Sequence, residues 1–155
     1  MAAKENLLVD TNIIIDYLGR REPFYADARL LLLAGKVGEF RLWISSSQVT
    51  DTLYILSEGG KKSLMPSVLQ RMDKVLSFVR VCAATEEDVH ELMHTLWSDP
   101  EDALLHQIAC RIQASAIITR NQQDFAKSVI PVYDCARFFE AYALQHGISY
   151  AEVEF

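Results

Sequence analysis

The chain is poor in cysteine and has no long hydrophobic run. Its 155 residues include three cysteines, Cys82, Cys110 and Cys135, which are widely spaced and set among apolar residues. An odd, scattered set of this kind excludes a disulfide framework and favours buried free thiols over a zinc site. The first apolar run, residues 7–9, is too short for a signal peptide or a membrane span. We therefore expect a cytoplasmic protein without redox chemistry.

Positive charge is also scarce. The sequence has 15 Lys and Arg residues against 21 Asp and Glu residues, a net charge of -6. Basic surface usually supplies most of the affinity for nucleic acid, so this charge argues against simple electrostatic binding. The objection weakens if several carboxylates share one pocket and divalent cations neutralise them there.

Apolar residues alternate between two kinds of pattern along the chain. Short apolar runs predict five strands, at residues 7–9, 41–44, 78–81, 116–118 and 129–132. Between them, apolar residues recur at helical spacing. This alternation predicts right-handed crossovers and one three-layer α/β/α domain, residues 1–155, with a five-stranded mainly parallel sheet.

Polar residues follow three of the predicted strands, at positions 10–12, 45–47 and 119–121. Ligands of open parallel sheets bind just beyond the carboxyl ends of the strands. Asp51 would lie in the second turn of the helix after the second strand, and Asp102 in the first turn of the helix before the fourth. With Asp10 and Asp124, they give four carboxylates that the fold would have to gather around one point.

Helix capping is the alternative interpretation of most of these residues. Residues 99–102, Asp-Pro-Glu-Asp, form a helix-start signature with Asp99 as the cap, and residues 121–124 have capping-box spacing. Capping does not explain Asp51, because it lies inside a predicted helix. The alternative for Asp51 is a solvated helix residue.

Three motifs resemble the signatures of PIN domains. Residues 7–18, LLVDTNIIIDYL, resemble the family's opening strand and its aspartate; residues 99–104 resemble its aspartate-bearing helix start; and residues 117–125 resemble its fourth-strand motif and acidic turn. With a similar segment at 45–56, the resemblance spans residues 7–133. The sequence departs from the family at Asp51, where glutamate is usual. It also departs at Asn121, where many relatives have aspartate and others use a later acid, here Asp124.

The resemblance implies a metal-dependent endoribonuclease that hydrolyses RNA phosphodiester bonds. Mg²⁺ or Mn²⁺ would be held mainly by Asp10 and Asp102, because these cations take oxygen ligands. Asp51, Asp124 and Asp99 would bind a second ion, hold waters or act as a base. Five residues are expected to order water or phosphate, with capping as the alternative: Thr11, Asn12, Thr119, Arg120 and Asn121.

The resemblance also implies partners, since short chains of this kind are similar to VapC-type toxin ribonucleases. Their partner is a small antitoxin that blocks the acidic pocket, and they commonly form homodimers. Aromatic residues offer contact surface, although core packing is the favoured use for most of them: Trp43, Trp97, Phe138, Phe139 and Tyr142. Six cations are candidates for attracting RNA, with Arg120 favoured for its place in the motif: Arg20, Arg21, Lys61, Lys62, Arg120 and Lys127.

Two other functions stay open at this point. Asp10 after a first strand also suits chemistry through an aspartyl phosphate, but the usual second aspartate is replaced by Asn12, and strands four and five lead to Thr119 and Tyr133 rather than lysine. The other is a catalytically inactive PIN fold that binds protein or RNA, suggested by Asp51 and Asn121. Metal-dependent cleavage would separate these possibilities.

Overall fold

The computed structural model describes residues 3–147, and within them five strands form one sheet. The strands are β1 Asn6–Val9, β2 Arg41–Ser45, β3 Arg80–Cys82, β4 Ala116–Ile118 and β5 Val132–Tyr133. Their order is β3-β2-β1-β4-β5, and each of the four pairings is parallel. The prediction of a five-stranded, mainly parallel sheet is confirmed.

Helices cover both faces of this sheet. They are α1 Thr11–Leu18, α2 Tyr25–Val37, α3 Ser46–Leu56, α4 Met65–Leu76, α5 Glu86–Leu92, α6 Pro100–Arg111 and α7 Cys135–His146. Side chains alternate across β1, so Leu7 and Val9 join the core cluster of α1, α2, α4 and α7, whereas Leu8 joins the cluster of α6. The three-layer α/β/α architecture is confirmed.

The third and fifth strands begin later than the sequence predicts. Residues 78 and 79 belong to the turn that ends α4, where the amide of Val79 donates to the carbonyl of Val75 at 2.9 Å. Val129 is 82% exposed, and the next residue is held in a turn by Ser128, whose hydroxyl donates to the Ile130 carbonyl at 2.7 Å. Val79 therefore packs in the core and Ile130 lies in a turn, and neither residue belongs to a strand.

The cysteines are free, but they are not all buried. Cys135 is buried and Cys82 is half-buried, whereas Cys110 is exposed on α6. The expectation of three buried thiols is wrong, because Cys110 lies on the outward side of α6, one turn after His106. Phe138 and Phe139 are buried in the core, as expected. Within residues 3–147, no helix has both the length and the apolar composition needed to cross a membrane.

The order of the strands creates a switch point at the centre of the sheet. β1 pairs with β2 on one side and with β4 on the other, so the connections leaving β1 and entering β4 run in opposite directions. Such a point opens a crevice beyond the carboxyl ends of the two strands. Asp10 follows β1 and Thr119 follows β4, so both residues lie at this crevice.

Candidate active site

Asp10 is the most constrained carboxylate of the crevice. It is 8% exposed and caps α1, with its side chain accepting from the Thr11 amide at 2.7 Å. The Thr119 hydroxyl donates to its Oδ2 at 2.7 Å, and the Asn12 side-chain amide donates to the same oxygen at 3.2 Å. Capping and site placement are therefore compatible, because one carboxylate oxygen serves the helix and the other is held across the sheet.

The start of α6 delivers two further carboxylates. Asp99 caps the helix, accepting from the amides of Glu101 at 2.8 Å and Asp102 at 3.4 Å, and Pro100 occupies the first helical position. The capping interpretation of this segment is confirmed. Both Asp99 and Asp102 nevertheless line the same cleft as Asp10.

Helix α3 brings Asp51 to the cleft through a buried glutamine. Gln48 forms a capping box with Ser45, and its side-chain amide also donates to the carbonyl of Val9 at 2.8 Å. This bond joins α3 to the residue directly before Asp10. Asp51 follows one turn later, exposed, and lines the cleft rather than facing away from it.

The turn after β4 supplies the fourth predicted position. The Asn121 amide donates to the Thr119 hydroxyl at 3.0 Å, and a short 3-10 helix, Gln122–Phe125, follows. Asn121 makes no side-chain capping bond, so the predicted capping box is wrong here; the Asp124 amide instead donates to the Asn121 carbonyl at 3.0 Å. Asn121 and Asp124 both line the cleft.

The fold therefore gathers all the predicted acids around one open cleft of about 490 Å³. Six carboxylates line it: Asp10, Asp51, Asp99, Glu101, Asp102 and Asp124. Thr11, Asn12 and Asn121 line it as well, whereas Thr119 is buried beneath it. Apolar walls come from α1 and α3, through Ile15 and Ile55.

Crowding of negative charge raises the pKa of several of these acids. Burial, followed by the charges of Asp99, Asp10 and Asp124, raises the pKa of Asp102 to about 7. Burial also raises the pKa of Glu101, and the charges of Asp51, Asp10 and Asp99 raise it further. Burial raises the pKa of Asp10 despite the hydrogen bonds from Thr119 and Thr11. The cleft is therefore electrostatically unfavourable until positive charge enters it.

The donor set of the cleft fits a hard divalent cation. It offers carboxylate, hydroxyl and amide oxygens, and the Thr11 hydroxyl is buried without a hydrogen-bond partner among the described residues. Among residues 3–147, no three His, Cys, Asp or Glu side chains lie close enough to hold a metal ion by themselves. Magnesium suits such a spread set, since it usually binds one or two carboxylates and keeps several waters.

Glu101 and Gln48 are site residues that the sequence predictions missed. Glu101 stands inside the motif that was identified, beside Asp102, and was assigned only to the helix start. Its place in the first turn of the predicted helix, next to the candidate ligand Asp102, was the signal that the sequence offered. Gln48 has no such signal, because its role depends on a contact with residue 9, far away in the sequence.

Among the six cations expected to attract RNA, Arg21 lines the cleft. Arg120 instead pairs with Asp16: its Nε and Nη2 donate to the two carboxylate oxygens at 2.6 and 3.2 Å. Lys127 donates to the Leu96 carbonyl and lines a smaller pocket that shares Asp124 with the cleft.

Comparisons with known proteins show the family of this chain. A family model described as PIN domain matches residues 6–123. Ribonuclease VapC1 of Aquifex aeolicus (strain VF5) is 29% identical over 141 residues, which cover 88% of this chain and 94% of that protein.

Two solved structures share the fold. The chain resembles a toxin-antitoxin complex from Klebsiella pneumoniae with a TM-score of 0.62 and 20% identity, covering 83% of this chain and 97% of that one. It also resembles VapC20 of Mycobacterium tuberculosis, described as a sarcin-ricin loop cleaving toxin, with a TM-score of 0.56 and 14% identity. That match covers 72% of this chain and 86% of the other. At these identities the likeness concerns the fold alone.

Proposed function

The chain belongs to the PIN domain family, and we propose from this that it is a metal-dependent endoribonuclease and the toxin half of a toxin-antitoxin pair. The observation that carries the proposal is the gathering of six carboxylates in one cleft at the switch point of a parallel sheet. A cluster of this kind costs folding free energy, so a structural role does not account for it.

Asp10 and Asp102 are the proposed main ligands of Mg²⁺ or Mn²⁺. Asp10 is held in one orientation by three hydrogen bonds, and burial with the neighbouring charges raises the pKa of Asp102 to about 7, a cost that a cation would offset. When bound, the cation would supply Lewis-acid chemistry, polarising the scissile phosphate and activating water. Asp51, Asp99 and Asp124 would hold a second ion or water around it.

Glu101 joins the proposed site as an acid or base. Its raised pKa keeps a larger fraction of it protonated than an ordinary glutamate at the same pH, so it would hold or give up a proton in the site. It lies at the same rim as Asp51, and the two side chains share that side of the cleft. In this arrangement Asp51 has a glutamate neighbour, which compensates for the shorter side chain at position 51.

RNA is the proposed substrate, and the cleft has polar groups to receive it. Arg21 is a basic residue among those that line the cleft, and it would meet a phosphate there. Thr11, Asn12 and Asn121 would order water or phosphate at the rim. Thr119 would act from below by fixing Asp10, to which its hydroxyl donates.

The proposed partners are a small antitoxin and a second copy of the chain. The similarity to a toxin-antitoxin complex and to VapC1 supports an antitoxin that covers the acidic cleft. Several large apolar side chains are exposed and would suit protein contacts, among them Met93, Leu96 and Val129. Because the proposed substrate is cellular RNA, we propose that the protein acts in the cytoplasm.

The first experiment compares wild type with Asp10→Asn on a pool of structured and single-stranded RNA, with Mn²⁺ and with EDTA. We expect cleavage that needs Mn²⁺ and falls by at least about 100-fold in Asp10→Asn, because the variant removes a ligand charge without changing shape. The readout is the rate of fragment formation on a denaturing gel.

Asp134→Asn is the matched control. Asp134 also follows a strand, β5, and caps a helix, α7, where it accepts from the Arg137 amide at 2.8 Å, but it lies outside the cleft. Asparagine caps helices about as well as aspartate, so both variants should fold. Absence of cleavage by folded wild type would refute the nuclease proposal and favour a binding module; cleavage by Asp10→Asn at the wild-type rate would refute the assigned site.

A further inference from the structure

A carboxylate is buried on the apolar face of α1. Asp16 has no exposed surface, and its neighbours on the helix, Ile13, Ile14 and Ile15, are buried too. Its partner is Arg120, which approaches with two nitrogens, at 2.6 and 3.2 Å, and whose guanidinium lies 4.1 Å from the ring centroid of Phe24. The Arg120 side chain is thus held between Asp16 of α1 and the ring of Phe24.

Stability alone does not explain this pair. Burying a carboxylate completely and an arginine side chain in large part is expensive, and apolar residues of similar volume often serve a protein's stability equally well or better. Leucine at position 16 would simply extend the isoleucine face of α1. The reason for the pair must therefore lie in the chain segments that it holds together.

Arg120 stands between two residues of the proposed site. Its own amide donates to the Asn12 side chain at 3.4 Å, Thr119 before it donates to Asp10, and the Asn121 amide after it donates to Thr119. Fixing the Arg120 side chain against α1 therefore fixes the backbone from which Thr119 and the following acidic turn project.

The main chain of Asp16 also contacts the loop after α1, and the Arg120 side chain contacts the end of this loop at Phe24. The Arg21 amide donates to the Asp16 carbonyl at 3.0 Å, and Phe24, on which Arg120 stacks, ends that loop. Arg21 lines the cleft. One residue of α1 is thus in contact with both chain segments that close the cleft on this side.

We propose that Asp16 and Arg120 are positioning residues, which hold the Thr119–Asp124 turn and the loop after α1 at the carboxylate cleft without themselves touching RNA. The proposal rests on the proposed function, and it differs from a direct role of Arg120 in phosphate binding. Mutation of residues that orient metal ligands in this indirect way typically lowers metal affinity or activity by about 10- to 100-fold.

The test uses three variants of the full chain. The double variant Asp16→Leu with Arg120→Met replaces the ion pair by apolar groups and keeps a side chain over Phe24. Arg120→Lys keeps the charge but loses the two-pronged geometry. Asp88→Asn is the matched control, because Asp88 is also a buried carboxylate paired with an arginine, Arg111, on α5 and α6 away from the cleft. The measurements are Tm, Mn²⁺ affinity by calorimetric titration, and kcat and KM for RNA.

We expect the double variant to keep its Tm within a few degrees of wild type or above it, while Mn²⁺ affinity and kcat fall about 10- to 100-fold and KM stays unchanged. Arg120→Lys should have a Mn²⁺ affinity and a kcat between those of wild type and the double variant. Asp88→Asn should have a lower Tm than wild type and an unchanged Mn²⁺ affinity. Wild-type Mn²⁺ affinity and kcat in the double variant would overturn the proposal.

A second result would also overturn it: a raised KM and a weaker salt dependence with kcat unchanged, since that pattern marks direct contact with phosphate. The Mn²⁺ titration separates this proposal from the proposed function. If wild type cleaves no RNA, the nuclease assignment is wrong, while the Mn²⁺ affinity of the double variant still decides whether the pair positions the cleft.

Discussion

At the scale of the residue, Asp102 lowers stability in a way that its proposed role as a metal ligand would explain. Its pKa is raised to about 7 by burial and by the charges of Asp99, Asp10 and Asp124. In the unfolded chain the same carboxyl ionises near its ordinary value. As pH rises from about 4 to about 7, the unfolded state releases a proton that the metal-free folded state retains, so this group lowers the free energy of unfolding across that window.

We predict that Asp102→Asn raises the Tm of the metal-free protein while it abolishes Mn²⁺-dependent cleavage. The gain should be about 2–4 °C at about pH 8, the shift that 1 kcal/mol produces in a chain of this size, after allowance for the solvent that screens this half-buried group. It should shrink towards zero at about pH 4.5, where wild type is largely protonated as well. Calorimetry in EDTA measures it; equal gains at both pH values would show that the ionised carboxylate of Asp102, through its burial and the neighbouring charges, is not the cause.

At the scale of the element, the first turn of α3 adds a polar link to β1, beside the core packing of Val49, Leu53 and Leu56. Ser45 and Gln48 form the capping box, and the fully buried Gln48 side chain then reaches across to the carbonyl of Val9. The helix is consequently tied to the end of β1, which is also where Asp10 begins α1. Asp51 reaches the cleft because it lies one turn beyond this tie.

Gln48→Met should lower the free energy of unfolding by about 2–3 kcal/mol, because it leaves the buried Val9 carbonyl and the Ser45 amide without their partners. Cleavage should also fall, since Asp51 loses its fixed distance from Asp10. Urea denaturation with an unchanged m-value measures the first effect. Thr50→Ala, on the exposed side of the same helix, is the control and should stay within about 0.5 kcal/mol. A Gln48→Met protein as stable as this control would show that the hydrogen bond from Gln48 to Val9 does not hold α3 in place.

The whole molecule is acidic, and this limits how it can hold RNA. With a net charge of -6 and Arg21 as the cation that lines the cleft, few phosphates can be neutralised by the protein alone. Divalent cations in the cleft would supply the missing positive charge. Affinity for RNA should then depend on them more than on an extended basic surface.

We predict a shallow salt dependence of RNA binding at constant Mg²⁺. If two or three phosphates are neutralised, log K should fall with log [NaCl] with a slope of about -1.4 to -2.1 for a single strand. Fluorescence anisotropy with the wild-type protein and a phosphorothioate probe that resists hydrolysis measures the slope. Arg21→Ala should reduce it by about 0.7, whereas Lys4→Ala, at the opposite end of β1, should not. A slope steeper than about -4 would show an extended basic surface instead.

Much of this arrangement was predictable from local patterns. The alternation of apolar runs and helical spacing predicted the parallel sheet, and the residues after β1 and β4 were correctly placed at one edge. The Asp99 cap was readable because capping depends on three or four consecutive residues. The Asn121 cap was not, since a 3-10 turn held by backbone bonds replaced the helix start that the spacing indicates.

The sequence by itself determined the layers, the acidic motifs and their order along the chain, because each depends on neighbouring residues or on a repeat of two or 3.6 positions. Only the tertiary structure decided which carboxylates share the cleft, that Glu101 belongs to them, and that Arg120 turns inward to Asp16 rather than outward to solvent. These outcomes depend on contacts between residues about a hundred positions apart, and local spacing carries no information about which of several available partners a charged side chain will meet.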